Sequence, residues 1–259
     1  MATEKQISII ALHGNGGGGF RFDLAKPLFP ENIIFKTPTL PGFNSIGTLP
    51  SNYSMKNYAE WIENYLKDIK SPRILMGHGL GGVFVLEFLQ HFPKMVDGVI
   101  LHSIVGANLN KRIFPKVMRL PLVATMTKNV IASSIARPFI SRKFFQKKIN
   151  TRYKNEFFES FKKCEAFERM FKLIDYSWFK NLSPINIPAA FLWGENDWIL
   201  KPNEINALQN LFPFSLKKIV PEWDHFPMID RPESYVLEVT SLANHIMSKS
   251  NVFKQEGKF

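Results

Sequence analysis

A glycine-spaced turn in the first half of the chain is compatible with two kinds of chemistry. The sequence R-I-L-M-G-H-G-L-G-G at 73–82 joins an apolar run to small residues, a pattern typical of a buried strand that turns sharply into a helix. Gly77, Gly79 and Gly82 match G-x-G-x-x-G, which cradles the phosphates of a dinucleotide. Gly77 and Gly81 also match G-x-S-x-G, an elbow that presents a nucleophilic serine, except that Gly79 stands in the serine position. Other parts of the chain decide between these chemistries.

A dinucleotide site has some support, because G-x-G-x-x-G occurs again at Gly14, Gly16 and Gly19. Each match follows a predicted strand and precedes a predicted helix, which is the required context. Such a site also needs an acid at the end of the next strand to hold the ribose hydroxyls. No carboxylate follows the first match at that place, and Asp97 precedes its predicted strand instead of following it. We therefore disfavour a dinucleotide and expect no cofactor.

The elbow interpretation makes demands on distant parts of the chain. It requires an upstream loop that stabilises an oxyanion, an acid after a late strand and a histidine after the last strand, in the order nucleophile, acid, base. The stretches L-H-G-N-G at 12–16, W-G-E-N-D at 193–197 and D-H-F-P at 224–227 meet these demands in that order. The elbow is therefore the favoured interpretation.

With these motifs the sequence resembles the α/β-hydrolase fold family over nearly its whole length. The resemblance implies an α/β fold with a doubly wound, mostly parallel sheet, and it assigns Asp197 as the orienting acid and His225 as the base. In such a site the imidazole moves a proton between nucleophile and leaving group, and the carboxylate fixes its tautomer. The backbone N–H groups of Asn15 and Leu80 would form the oxyanion hole. Gly79 occupies the nucleophile position.

The resemblance also implies supporting roles around the elbow and the upstream loop. Gly77 and Gly81 are the elbow glycines, and His78 lies beside the nucleophile position as a structural residue. His13 and Gly14 form the H-G start of the upstream loop, which His13 is expected to brace.

Other candidates for chemistry receive less weight. Glu195 is a weaker alternative acid, because the G-x-x-D spacing of the motif selects the aspartate. Cys164 is the single cysteine, so we expect no internal disulfide. We expect it to be a half-buried residue of a helix. No cluster of histidine, cysteine or carboxylate side chains has metal-ligand spacing, so we expect no metal.

Glycine has no side chain with which to attack a substrate, so the covalent route of the family is closed at Gly79. An aspartate nucleophile, as in the related haloalkane dehalogenases and epoxide hydrolases, is absent from this position too. The scaffold is that of a hydrolase for a small, mostly apolar ester, amide or activated carbon–carbon substrate. Three hypotheses remain: a deliberate change that traps substrate, a ligand-binding or signalling relative without hydrolysis, and a non-covalent lyase or hydrolase with His225 as base. The intact acid and base favour a function that still uses His225.

Alternating strand and helix patterns at 1–107 and 184–259 predict one parallel α/β core. Within it we expect a helix from the N-cap Ser54 to Ile69, a strand at 73–76, and helices at 80–92 and 232–247. The tail after 247 is expected to fray. The segment 108–183 is basic, aromatic and helical in pattern, which predicts a helical cap inserted between strands of the core.

The net charge of +11 comes from the predicted cap. Residues 108–182 hold 17 lysines and arginines against 5 acids, a net +12, and the remainder of the chain carries −1. Such a patch could steer an anionic substrate, an acidic partner or a phospholipid surface, although a solvated helical surface is the favoured interpretation. We expect a small-molecule substrate or ligand, with anionic ones included, and no nucleic acid. No signal peptide or transmembrane segment is predicted, so the expected location is the cytoplasm.

Overall fold

The centre of the molecule is a parallel sheet in the order β2-β1-β3-β4-β5-β6. The structure is a computed structural model that describes residues 6–47, 50, 52–106, 108, 111–174 and 176–255. The strands are β1 (Ile7–Leu12), β2 (Ile33–Lys36), β3 (Arg73–His78), β4 (Gly98–His102), β5 (Ala189–Gly194) and β6 (Ser215–Val220). Four of them, β1, β3, β4 and β5, are buried almost throughout, as expected for a parallel sheet covered on both faces.

Helices between the strands and after the last strand pack against this sheet. They are α1 (Met55–Leu66), α2 (Leu80–His91), α9 (Glu204–Leu208), α10 (Pro227–Asp230) and α11 (Pro232–Gln255). A capping box starts α1, because the Ser54 side chain accepts the Asn57 N–H and the Asn57 side chain accepts the Ser54 N–H. The residues of α2 are apolar on nearly every side of the helix, which suits a helix packed against both the sheet and α1.

The strand order locates the crevice of this fold. The chain moves from β1 outward to β2 and then returns to the other side of β1 with β3. At such a switch point the loops after β1 and β3 leave the sheet in opposite directions, and a crevice opens at the carboxyl ends of the strands. The predicted upstream loop follows β1 and the predicted elbow follows β3, so both lie at this crevice.

Between β4 and β5 the described residues contain helices and no strand. These helices are α3 (Ile113–Val117), α4 (Val123–Ala132), α5 (Arg137–Phe144), α6 (Thr151–Glu159), α7 (Phe167–Leu173) and α8 (Tyr176–Lys180). We call residues 111–180 the helical segment. Its inner side holds a cluster of buried phenylalanines that includes Phe157, Phe158 and Phe161.

Several predicted boundaries differ from the structure. The strand β3 continues past Met76 to His78 because its last residues still pair with β4. The helix α1 ends at Leu66 instead of Ile69. The prediction of a frayed tail was wrong up to Gln255, because α11 continues and its buried Phe253 packs 5.0 Å from the ring of Phe214.

Two local predictions also need correction. The stretch after the first glycine-rich loop forms two 3-10 turns, Gly19–Phe22 and Lys26–Leu28, in place of a short helix. Cys164 is fully buried and lies in the turn between α6 and α7, not half-buried on a helix. Burial raises the pKa of its thiol to about 12, so it stays protonated.

Candidate active site

The turn between β3 and α2 has the geometry of an elbow. Gly79 lies between the two elements with φ 55° and ψ −116°, a conformation that strains any residue with a side chain. The two flanking glycines are closely packed. A Cβ on Gly77 would lie 2.5 Å from the Gly82 nitrogen, and one on Gly81 would lie 2.8 Å from the His13 oxygen. Glycine at Gly77 and Gly81 therefore lets the backbone fold this tightly.

His225 and Asp197 form a buried pair beside the elbow. The distance from His225 Nδ1 to Asp197 Oδ2 is 2.8 Å. The other carboxylate oxygen, Oδ1, accepts the N–H groups of Ile199 at 3.0 Å and Leu200 at 2.8 Å. The carboxylate is therefore fixed by the loop after β5, and its partner is fixed by the loop after β6.

Charge and hydrogen bonding keep Asp197 ionised despite its burial. Burial acts to raise the pKa of this carboxyl. The attraction of His225 and the hydrogen bonds from His225 and the Leu200 N–H outweigh burial, and the pKa lies below its ordinary value. An ionised Asp197 favours the His225 tautomer that carries its proton on Nδ1, which leaves Nε2 as an acceptor.

The acceptor nitrogen of His225 faces the elbow. A Cβ placed on Gly79 would lie 3.8 Å from His225 Nε2 and 3.5 Å from the Gly14 Cα, both ordinary van der Waals distances. A side-chain oxygen attached to that Cβ could reach hydrogen-bond distance of the imidazole. The structure thus brings the Asp197 and His225 pair to the position that the elbow motif assigns to a nucleophile, and it leaves room there.

His13 holds the loop after β1. Its Nε2 accepts the Leu40 N–H at 3.0 Å, so its Nδ1 carries the proton and donates to the Gly14 oxygen at 3.0 Å. Burial lowers the pKa of His13 to about 3, which keeps the ring neutral. The loop is also tied to the helical segment, because Asn15 Nδ2 donates to the Phe167 oxygen at 3.4 Å.

Two further histidines pack behind His225. His78 Nε2 donates to the His225 backbone oxygen at 3.0 Å, and the His78 ring lies 4.6 Å from the His225 ring and 4.7 Å from the His102 ring. Burial is the main cause that lowers the pKa of His78 well below its ordinary range and that of His102 to about 3. Both rings are therefore neutral. His78 contacts the base through its backbone, as a supporting residue would.

A cavity of about 540 Å³ lies over these groups. Five of the predicted site residues line it: Gly14, Asn15, Gly79, Leu80 and His225. The remainder lie behind the lining: His13, Gly77, His78, Gly81 and Asp197. Most of the other lining residues are apolar, and many come from the helical segment, among them Phe144, Phe161, Phe167 and Met170. The arrangement can hold a small apolar molecule against a histidine base.

The structure separates the alternative candidates from this cavity. Glu195 is exposed, whereas Asp197 is buried against the histidine. Asp97 accepts hydrogen bonds from Ser71 Oγ and the Arg73 N–H, at the start of β3 and thus at the opposite edge of the sheet. Asp97 therefore lies at the wrong edge of the sheet to serve as the acid of a dinucleotide site.

Arg21 is a cavity residue that the sequence analysis missed. It is buried, it lines the cavity, and its guanidinium lies 4.4 Å from the centre of the Phe157 ring. Its position in G-F-R-F-D, directly after the glycine-rich loop, was a usable signal, since that loop lines the same cavity.

The described residues hold no candidate metal cluster and no candidate membrane-spanning helix. No group of three histidine, cysteine or carboxylate side chains among these residues could hold a metal ion. None of the helices in the described ranges combines the length and apolar character needed to cross a bilayer.

A doubly wound parallel sheet with a buried acid–histidine pair facing an elbow defines the α/β-hydrolase class of fold. The sequence model of this family, described as alpha/beta hydrolase fold, matches residues 8–232. The chain belongs to the α/β-hydrolase fold family.

Relatives and solved structures agree with this assignment. The chain is 22% identical over 253 residues to the uncharacterised protein Rv2715 of Mycobacterium tuberculosis, with 88% of this chain and 73% of that protein covered. It is 22% identical over 245 residues to monoacylglycerol lipase ABHD6 of Bos taurus, covering 87% and 72%. Among solved structures, an esterase of Exiguobacterium antarcticum has a TM-score of 0.77 at 15% identity, covering 93% of each chain. A putative lipase of Acinetobacter baumannii has a TM-score of 0.76 at 18% identity, covering 95% and 86%.

Proposed function

We propose that this protein acts on a small, mostly apolar ester, amide or activated carbon–carbon substrate, with Asp197 and His225 as an acid-oriented base. One observation carries the proposal: His225 Nε2 lies 3.8 Å from the Cβ position of Gly79, inside a cavity lined mainly by apolar residues. With glycine at the elbow, the chemistry is non-covalent. The space of the absent side chain admits a water molecule or part of the substrate.

In the proposed reaction His225 activates water directly. Nε2 takes a proton from water while the water oxygen attacks the substrate carbonyl carbon, and the carbonyl oxygen gains the negative charge. The N–H groups of Asn15 and Leu80 receive that charge; Leu80 is the first residue of α2, so its N–H has no acceptor within the helix. When the intermediate collapses, Nε2 returns the proton to the leaving group. Proton abstraction from the substrate itself, as in a lyase, uses the same base.

Residues 108–183 are proposed as a cap domain over this site. The support is that α3, α4, α5, α7 and the turn after α6 contribute side chains to the cavity, so substrate selection rests on them. Structural neighbours that include an esterase, a putative lipase and an epoxide hydrolase of Bacillus megaterium are consistent with a carbonyl or activated-carbon substrate. We also propose that the protein works in the cytoplasm.

The first experiment compares the chain with its His225→Ala variant on p-nitrophenyl esters of increasing acyl length. The proposal expects a slow but measurable rate for the chain and a background rate for the variant. Equal background rates for both proteins across the series would remove the enzymatic role of this form.

The second experiment supplies the missing nucleophile. Because a Cβ fits at Gly79, Gly79→Ser should create esterase activity and become labelled by an organophosphate at position 79. Both effects should vanish in the Gly79→Ser, His225→Ala double variant. The substitution returns a side chain to a strained turn, so we expect a loss of about 1 kcal/mol in the free energy of unfolding. A folded Gly79→Ser protein that neither cleaves short esters nor reacts with the probe would refute the assignment of His225.

A second candidate function is ligand binding or signalling without turnover. It is favoured by the elbow itself, because glycine relieves the strain at φ 55° and removes the reactive side chain together. The ester series separates the two candidates: a rate that depends on His225 supports catalysis, and saturable binding of a small ester without such a rate supports the binding protein.

A further inference from the structure

A single buried guanidinium lies against the loop that follows β1. Arg21, in the 3-10 turn Gly19–Phe22, lines the cavity and has only 2% of its surface exposed. Its Nη1 lies 3.8 Å from the Cβ position of Gly14, the residue that precedes the proposed oxyanion donor Asn15. A ligand whose carbonyl oxygen reaches this loop therefore brings its next few atoms beside Arg21.

Arg21 has no counter-ion in the described part of the chain. Its Nε and Nη2 atoms are buried without a hydrogen-bond partner, and no carboxylate of the described residues forms an ion pair with it. Burial lowers the pKa of this guanidinium to about 10, so it stays charged at neutral pH. A buried charge without a partner is costly, which makes a bound anion the expected partner.

Aromatic rings and a glycine hold the guanidinium in place. The ring centres of Phe157 and Phe226 lie 4.4 Å and 5.6 Å from the Arg21 Cζ. A Cβ on Gly17 would lie 2.6 Å from Arg21 Nε, so glycine at this position leaves space for the side chain. Cation–π contacts orient the planar group and leave its Nε and Nη2 without a hydrogen-bond partner.

The other cation of the cavity is neutralised. Arg112 Nη2 forms an ion pair with Glu204 at 3.1 Å, and its Nη1 donates to the Ile199 oxygen. Neither an aspartate nor a glutamate is among the residues that line the cavity. Within this apolar space Arg21 is thus the unpaired charge.

We propose that Arg21 binds a carboxylate of the ligand. The substrate class that fits is a small, mostly apolar acid whose carboxylate lies a few bonds from the reacting carbonyl, such as the half-ester of a dicarboxylic acid. The planar fork of an arginine matches a carboxylate in two parallel hydrogen bonds. This inference rests on the proposed function for the position of the carbonyl, but its test uses binding alone.

The test measures binding of two probes of equal shape by calorimetry. Monomethyl succinate carries a carboxylate, and methyl levulinate replaces it with a neutral methyl ketone. The chain with its native Gly79 should bind the succinate roughly tenfold or more tightly, because a charge-assisted hydrogen bond to a buried partner has that value. Arg21→Met should abolish this preference and leave the weak binding of levulinate unchanged.

Arg142→Met is the matched control, since it removes one positive charge from an exposed position outside the cavity and should keep the preference. Equal affinity of the native chain for the two probes overturns the proposal, also where Arg21→Met fails to fold. A preference that survives in folded Arg21→Met overturns it as well. Absence of catalysis in the ester series leaves the binding result intact, so the two failures are distinguishable.

A second inference comes from the outer face of the helical segment. Seven large apolar side chains of this face, within 113–139, are more than half exposed and do not line the cavity: Ile113, Leu120, Leu122, Met126, Val130, Ile135 and Phe139. We call this set the outer face. Elsewhere in the described residues the strongly exposed apolar side chains are scattered, for example Leu237 on α11. A concentration of exposed apolar side chains of this kind marks an interaction site.

The charge around the outer face indicates the partner. Residues 98–155 contain 12 lysines and arginines and no aspartate or glutamate. Lys111, Lys116, Arg142 and Lys143 are exposed among the apolar side chains. Apolar groups for the acyl boundary together with cations for headgroups fit the surface of an anionic bilayer. We infer that the outer face docks on anionic lipid.

Vesicle flotation tests this inference with phosphatidylcholine vesicles, with or without a minority of phosphatidylglycerol. Binding to the anionic vesicles should be about tenfold stronger and should weaken as salt rises. The Ile135→Ser, Phe139→Ser double variant should lose most of it, and Leu237→Ser should bind like the unaltered chain. Equal binding to both vesicle types would overturn the inference. The inference would also be overturned if the double variant bound the anionic vesicles like the unaltered chain, or if a soluble oligonucleotide bound equally tightly. Either result would mean that charge alone causes the binding.

Discussion

At the carboxyl edge of the sheet, the polar side chains of the site are buried and held by backbone groups. His13 is fixed by Leu40 and Gly14, and His78 is fixed by the backbone oxygen of His225. On the outer face of the helical segment, side chains such as Ile135 are apolar and 82% exposed. In the first region these side chains find their partners within the molecule. The second leaves its contacts to another surface.

The inner side of the helical segment resembles the sheet loops more than its own outer face. Phe157 is fully buried, and its ring lies 4.9 Å from Phe145 and 5.2 Å from Phe226, which follows His225. One segment of the chain thus joins the rigid wall of the site to an exposed apolar surface. The contrast therefore lies between the inner and outer faces of the helical segment, and not between different segments of the chain.

The largest test of this contrast is a pair of truncations in the helical segment. Phe157→Ala should lower the free energy of unfolding by about 3–5 kcal/mol, because it opens a cavity in a closely packed cluster. Phe139→Ala, at a side chain that is 71% exposed, should change it by less than about 0.5 kcal/mol. Denaturant titration measures both values. Similar losses for the two variants would mean that the faces do not differ in packing.

Substitution of glycines is expected to have a smaller effect on the free energy of unfolding. Gly77→Ala should cost roughly 2–3 kcal/mol, because the new Cβ would meet the Gly82 backbone at 2.5 Å and backbone cannot move aside as a side chain can. Gly47→Ala is the matched control: it has φ 64° and no neighbour within 4 Å, so only backbone strain, about 1 kcal/mol, applies. Thermal unfolding of both variants gives the comparison. A Gly77→Ala protein as stable as the native chain would show that the elbow is looser than its geometry implies.

The sheet and its order of motifs were predictable because they follow from local patterns. Apolar runs ending in glycine mark β1 and β3, and a capping residue marks the start of α1 at Ser54. What local patterns could not supply is the tertiary reason for an element to continue. The helix α11 extends to Gln255 because Phe253 finds a partner in Phe214, which is far away in the sequence.

The residues of the site also divide into those that local motifs reveal and those that only the tertiary structure reveals. Asp197 and His225 were found because each stands in a short motif with its own spacing, and the structure brings their side chains to 2.8 Å. Their catalytic roles stay predictions until the experiments above are done. Arg21 was missed because its importance depends on the absence of a counter-ion, and such an absence is visible only when every neighbour in space is known. The outer face was hidden for the same reason, since apolar residues in a helical pattern predict burial.

The smallest expected effect concerns the contact between the two regions. Asp230 of α10 accepts the N–H of Gln146, which lies between α5 and α6, at 3.1 Å. Burial, together with the nearby charge of Asp224, raises the pKa of Asp230 to about 7. A carboxyl whose pKa is higher in the folded state stabilises that state fully below its unfolded pKa, near 3.8, and this stabilisation is lost as the pH rises through about 7.

The isosteric Asp230→Asn variant cannot ionise at this position, so it should lack that component of the pH dependence. From pH 5 to pH 8 the native chain should therefore lose more stability than the variant, and the variant should gain on it most at pH 8. Urea titrations of both proteins at the two pH values measure the difference. Parallel pH profiles would mean that Asp230 titrates as an ordinary surface carboxyl. The contact between Asp230 and Gln146 would then be independent of pH. Other contacts, such as the phenylalanine cluster and the hydrogen bond from Asn15 to Phe167, would join the sheet loops to the helical segment.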